Sequence, residues 1–144
     1  RAPELSQFEE DRVMVVAPFS DPELIDLSSA DHDPPSVVFG PEPPHEWCYY
    51  YEKADLARQR GDWEEVVRLG DEAIQAKLAP QDDIEWMPFL QAYAHTGEAV
   101  RLDRVRRLMK NSDPFVVRQV CQRLGELPAL SSDVVRVVHT FCSE

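Results

Sequence analysis

The chain has little of what several large function classes require. No uninterrupted apolar run exceeds five residues, as in Val13 to Ala17, against the roughly 20 that a membrane-spanning helix needs. Basic charge is scarce: 15 Lys and Arg face 27 Asp and Glu, a net charge of −12, and no basic block interrupts it. A phosphate backbone would be repelled over most of such a surface, so nucleic acid is excluded as an expected partner. Only three cysteines occur, Cys48, Cys121 and Cys142, too far apart for a zinc site and too few for a disulfide scaffold. Buried free thiols are the first expectation. A single bridge, Cys48 to Cys121, is the alternative, and it would require an oxidising compartment. The first residue is Arg1 rather than Met and no charged-then-apolar leader opens the chain, which reads as a piece of a longer protein.

Catalytic and metal signatures are equally thin. The sequence carries neither a glycine-rich phosphate loop nor a Gly-x-Ser-x-Gly elbow, so nucleotide and hydrolase chemistry have no sequence basis. His32, His45, His95 and His139 lie on different segments without His-x-x-x-His spacing, and no metal is expected. Cys48 lies three residues from His45, but a nucleophile and base need an oriented third group and an oxyanion donor as well. The acidic clusters at Asp62, Glu64, Glu65, Asp71, Glu72 and at Asp82, Asp83, Glu85 read as helix caps and solvated faces, because acids in a first turn complement the helix dipole. No cofactor is expected.

What remains is a chain of 144 residues with 43% hydrophobic content, enough to close one core without staples. Eight of the twelve prolines fall in the first 44 residues, dividing a Pro-rich arm over 1–43, packed on the body, from a helical domain over 44–144. Within the arm, Arg12 to Ala17 has the composition of a short strand, Asp21 to Leu27 that of a helical turn, and Asp33-Pro34-Pro35 with Pro41-Glu-Pro-Pro44 that of extended connection.

From Pro44 onward the apolar residues recur at helical spacing. Trp47, Tyr50, Tyr51, Ala54 and Ala57 form one stripe, with Pro44 suited to the first turn and Gly61 as the stop. Asp62-Trp-Glu-Glu65 has the pattern of a capping box, in which Asp62 accepts from backbone amides and Glu65 reaches back. The second stripe is Trp63, Val66, Val67, Gly70, Ala73 and Ile74, and the helix ends before Pro80. Trp86, Phe89, Leu90 and Tyr93 give a third, with Pro88 tolerable only in the first turn. Leu102, Val105, Leu108 and Met109 give a fourth. Asp113-Pro114 opens a fifth, carrying Val117, Val120, Cys121 and Leu124, and Ser131-Ser-Asp133 a sixth, carrying Val134, Val137, Val138 and Phe141. The expected fold is all-α: about six helices as stacked antiparallel hairpins. The turn glycines Gly61 and Gly97 are 36 residues apart, close to the roughly 34-residue tetratricopeptide period.

Tyr50-Tyr-Glu-Lys-Ala54-Asp-Leu-Ala57-Arg-Gln-Arg-Gly61-Asp-Trp63-Glu-Glu-Val66-Val-Arg-Leu-Gly70-Asp-Glu-Ala73 resembles a tetratricopeptide repeat, in which small residues let paired helices approach and large ones fill the space between. In the second unit, Gly97-Glu-Ala99 replaces the expected Gly-Asp-aromatic turn and Leu90 stands where a small residue is usual. A longer stretch, Phe39-Gly-Pro-Glu-Pro-Pro-His-Glu-Trp-Cys48-Tyr-Tyr-Tyr followed by that repeat, resembles the C-terminal soluble tail of large multi-spanning bacterial membrane proteins. Those proteins are themselves similar to glycosyltransferases of the GT-C type. The resemblance implies a domain tethered outside the cytoplasmic membrane, with any transferase chemistry in the membrane part.

The repeat resemblance also implies that the first helix of each pair lines a concave groove, where Tyr51, Asp55, Arg58, Gln59, Gln91 and His95 would point. The expected function is non-catalytic protein interaction, with a protein or peptide, or the membrane-embedded portion itself, in that groove. The alternative is an accessory domain contacting the acceptor or glycan of a membrane-bound glycosyltransferase. A competing expectation has the arm fill the groove, with Trp47 and Tyr51 gripping its prolines.

Overall fold

The turn at Gly61 shows how local sequence sets the first hairpin. Gly61 and Gly97 both adopt left-handed backbone, with φ of 75° and 81°, which costs a glycine nothing and any other residue something. At each turn an amide returns to a carbonyl in the last helical turn: Asp62 N–H to Ala57 O at 2.9 Å and Glu98 N–H to Tyr93 O at 2.8 Å. The helix end is thereby satisfied and the chain reversed. A computed structural model of the chain, which describes residues 3–21, 24, 35–41 and 44–143, is all-helical over those residues, with no strand among them.

The short helices α1 (Asp11–Val16) and α2 (Ser36–Phe39) precede six longer ones: α3 (Trp47–Gln59), α4 (Trp63–Gln75), α5 (Met87–His95), α6 (Ala99–Leu108), α7 (Pro114–Gly125) and α8 (Ser132–Ser143). The strand expected over Arg12 to Ala17 is helix α1 instead, running into a 3-10 turn at Ala17–Phe19. A strand needs an edge to pair with, and no other strand is present among the described residues, so the backbone satisfies itself locally. Most of the turn expected at Asp21 to Leu27, and of the two Pro-rich connections, lies outside the described residues.

The expected capping residues behave in part as anticipated. Asp62 accepts from the Glu65 amide at 3.1 Å, Asp113 from Phe115 N–H at 2.7 Å, and Ser131 from Val134 N–H at 3.4 Å. Glu65 does not complete the box; its carboxylate is taken by Arg68, at 2.7 Å from Nε. Pro44 precedes α3 rather than occupying its first turn, since Glu46 is the N-cap. Pro88 does sit in the first turn of α5, after a 3-10 turn at Asp83–Trp86.

The core is centred on α5, whose residues Met87 to Ala94 are all buried. It packs against α3, α4, α6 and α7, while α8 packs against α6 and α7. Gly70 on α4 is where α5 comes closest: a methyl group there would stand 2.7 Å from a Phe89 ring carbon and nearer still to the Tyr93 hydroxyl. The expected stripes form the core with few exceptions. Leu108 is 56% exposed instead of inward, and Leu69 and Val116, outside the expected stripes, are buried.

The cysteine expectations are both corrected. Cys121 on α7 is bonded to Cys142 on α8, with the α-carbons 5.7 Å apart, and Cys48 is free and exposed rather than paired with Cys121 or buried. The packing of α7 on α8 brings the two nearest thiols together, whereas Cys48 lies on the outward side of the first turn of α3.

Candidate functional site

Four of the expected groove residues form one connected set. On α3, Asp55 and Arg58 are one helical turn apart and pair at 2.5 Å, and Gln59 donates to Asp55 at 2.7 Å. Arg58 also donates to the side-chain oxygen of Gln91 on α5 at 2.9 Å. Gln91 is only 2% exposed, so its amide oxygen must be satisfied from within the protein, and Arg58 does that. Tyr51, one turn earlier on α3, is half-buried. Burial, reinforced by the charges of Asp55 and Glu85, pushes its phenol up to about 12.

His95 is separate from this set. It is exposed and stacks on Trp63, ring centroids 4.7 Å apart. Trp47 is buried, packs edge-on against Trp86 and donates its indole N–H to Glu85 at 2.5 Å. Glu85 is shifted upward, because its partial burial outweighs that hydrogen bond and Asp82 and Glu52 add repulsion.

The set is completed by residues that helical periodicity does not single out. Glu4, in the segment before α1 that has no regular secondary structure, receives both terminal nitrogens of Arg58, at 3.0 and 2.9 Å. Its Oε1 is also 3.2 Å from Nε of Arg123 on α7. Burial works against the charge on Arg58, but the hydrogen bonds and negative charge of Glu4 and Asp55 outweigh it, so its guanidinium is held above its usual value. A bidentate guanidinium–carboxylate pair of this kind is among the stronger polar contacts a protein makes.

One residue on, the backbone itself is held. Leu5 N–H donates to Gln119 Oε1 at 2.9 Å, and Gln119 Nε2 donates back to the Leu5 carbonyl at 2.9 Å. The side-chain amide on α7 thus pairs with both polar groups of one extended residue, as a neighbouring strand would. Gln119 and Arg123 are one helical turn apart, the same spacing as Asp55 with Gln59 on α3 and Gln91 with His95 on α5. That repeated pair was the available signal for α7. Nothing comparable marks Glu4, which lies outside every periodic segment.

The site therefore spans α3, α5 and α7, with α5 in contact with both of the others, and Glu4 and Leu5 of the same chain are bound on it. Its polar groups are unusually deep for charged side chains: Arg58 is 16% and Arg123 10% exposed at the side chain. Among the described residues no three His, Cys, Asp or Glu side chains gather where they could share a metal ion, and no helix is long and apolar enough to cross a membrane. Comparison with protein families, with curated proteins and with solved structures finds no match for the chain.

Proposed function

We propose that the chain is a non-catalytic protein-interaction domain, built as stacked helical hairpins of the tetratricopeptide kind, whose α3–α5–α7 face receives an extended peptide. The observation that carries this reading is the Arg58–Gln91–Gln119–Arg123 set. It already holds one segment by a carboxylate and by both backbone polar groups of the next residue. Backbone hydrogen bonds supply affinity for an extended chain, and the charged fork supplies selectivity. The order of contacts supports the hairpin reading: α3 with α4, α4 with α5, α5 with α6, and α5 with both α3 and α7. In stacked hairpins the first helices of successive pairs are neighbours in this way.

A setting outside the cytoplasmic membrane, as the soluble tail of a multi-spanning protein, is part of the same proposal. The Cys121–Cys142 bond favours it, since disulfides persist in oxidising compartments and are rare in reducing ones. An acceptor or glycan as the ligand is the less favoured reading, because the most deeply built contacts fit a peptide backbone and a carboxylate.

The test is selection of random decapeptides displayed on phage against the whole chain and against its Arg58→Glu variant, with circular dichroism on both. An enriched consensus on the first, lost on the second with an unchanged helical spectrum, is the expected result. Absence of any consensus on either chain, and on a third with Leu5→Pro, which cannot donate its backbone N–H to Gln119, would overturn the reading.

A further inference from the structure

The segment lying on the α3–α5–α7 face has the chemistry of a ligand rather than of core packing. Its two anchors are polar: the Glu4 carboxylate in the fork of Arg58 and beside Arg123, and the backbone N–H and C=O of Leu5 against Gln119. Of the described residues from 3 to 41 only Ala17 is fully buried, while residues 3–7 are half-buried, so the polar anchors act beside a partial burial of the segment. The arginines beneath it have other partners too: Asp55 and Gln91 for Arg58, and Glu126 for Arg123 at 3.3 Å. What they lack without Glu4 is a carboxylate for the outward fork of Arg58. A guanidinium this deep, deprived of that partner, is costly to leave unfilled.

Resting on the peptide-binding reading above, we infer that residues Pro3–Gln7 are an intramolecular placeholder, and that the true ligand is an extended peptide with a glutamate or aspartate followed by a residue held through both polar groups of its backbone. Binding of that peptide and release of the segment are one exchange. A tethered segment acts at an effective concentration on the order of millimolar for a short linker. The site is therefore open only to a competitor that binds better or arrives where the segment is already loosened. The groove is self-inhibited, and its apparent affinity for any outside peptide is reduced by the fraction of molecules in which it is open.

The probe is a fluorescein-labelled peptide copying residues 3–9, Pro-Glu-Leu-Ser-Gln-Phe-Glu, capped at both ends, with a copy bearing Gln in place of its first Glu as control. Anisotropy titrations are run on the whole wild-type chain and on two whole-chain variants. Glu4→Arg repels the segment from Arg58 and Arg123. Leu5→Pro removes the N–H that Gln119 accepts while leaving every charge in place, so it serves if the first variant misfolds. The expected result is binding at least about tenfold tighter to the variants than to wild type, as freeing an occluded site requires, and weakened by the Gln control. Equal binding to wild type and both variants would overturn self-inhibition, and indifference to the Gln control would overturn carboxylate recognition. If the decapeptide selection yields a consensus but this probe binds none of the chains, the segment is a structural strap and the placeholder is overturned while the peptide-binding reading stands. If the selection fails as well, it is the binding reading that falls.

Discussion

The part of the chain before α3 and the part from α3 onward obey different rules. From Trp47 to Phe141 the side chains interlock: Trp86, Phe89, Leu90, Tyr93 and Val105 are 1% exposed or less. Before α3, α1 and α2 contain no buried residue, and Phe8, Phe19, Val37 and Phe39 are each more than 70% exposed. The region from α3 onward is held by burial, which is non-directional and tolerant of the exact partner. The region before α3 is held at Glu4 and Leu5 by a few directional bonds that demand specific partners. A region fastened by a few polar contacts can be exchanged for a look-alike; a region fastened by its core cannot.

Substitutions that act on one region and spare the other sharpen this contrast. The largest effect is expected for Phe89→Ala, at 0% exposure in the middle of α5, with a loss of about 3–5 kcal/mol of stability. Urea denaturation followed by circular dichroism reads it. A loss under about 1 kcal/mol would mean that the region from α3 onward is not a single packed core.

Next is the Cys121–Cys142 bond, which closes a loop of sequence separation 21. Cys142→Ser is expected to cost about 3 kcal/mol by the chain-entropy relation. Alkylation of the unreduced protein made in an oxidising compartment, followed by mass measurement, should label Cys48 alone. Labelling of all three cysteines would remove the basis for this prediction.

Gly70→Ala is expected to cost about 1–3 kcal/mol, because its methyl group must displace Phe89 or Tyr93 in a filled core. The Tyr93 hydroxyl is buried with no hydrogen-bond partner among the described residues, and burial pushes its ionisation well above the usual phenol range. Tyr93→Phe should thus be neutral or stabilise by up to about 1 kcal/mol, and should relieve part of the Gly70→Ala loss in the double variant. Additive effects in thermal melts would show that the hydroxyl is not what crowds Gly70. The smallest effect is expected for Phe39→Ser, at 71% exposure, with a shift within about 0.5 kcal/mol. A larger loss would show that the region before α3 is fastened by its apolar side chains after all.

Much of the helical region was legible because its signals are local. The apolar stripes, the left-handed glycines at 61 and 97, the proline in the first turn of α5 and the caps at Asp62, Asp113 and Ser131 all act within a few residues of themselves. Where the reading failed, a competing partner or a missing one decided the outcome. Val13 to Ala17 has strand composition, but a strand exists only with a neighbour. Glu65 could have reached back along its helix, but Arg68 one turn ahead offers the stronger bond. Leu108 keeps helical time, yet no helix covers it.

The candidate site divides in the same way. Asp55, Arg58, Gln59 and Gln91 were named because the resemblance to the repeat places the first helix of each pair along a groove. Gln119 and Arg123 carried the same four-residue spacing, but the weak repeat pattern beyond Gly97 gave them no register. Glu4 could not have been found, since the sequence separation between Leu5 and Gln119 is 114 residues and no periodicity reaches across it.

By itself, then, the sequence determined the helices, their order and most of the faces they bury, because helix formation and capping are settled by contacts three or four residues away. Which cysteines meet, which arginine fork holds which carboxylate, and the lodging of Pro3–Gln7 across α3 and α7 were decided only by the tertiary structure. Those are pairings between residues far apart in the chain, and packing alone brings such residues within the 3 Å or so at which hydrogen bonds and charge pairs act.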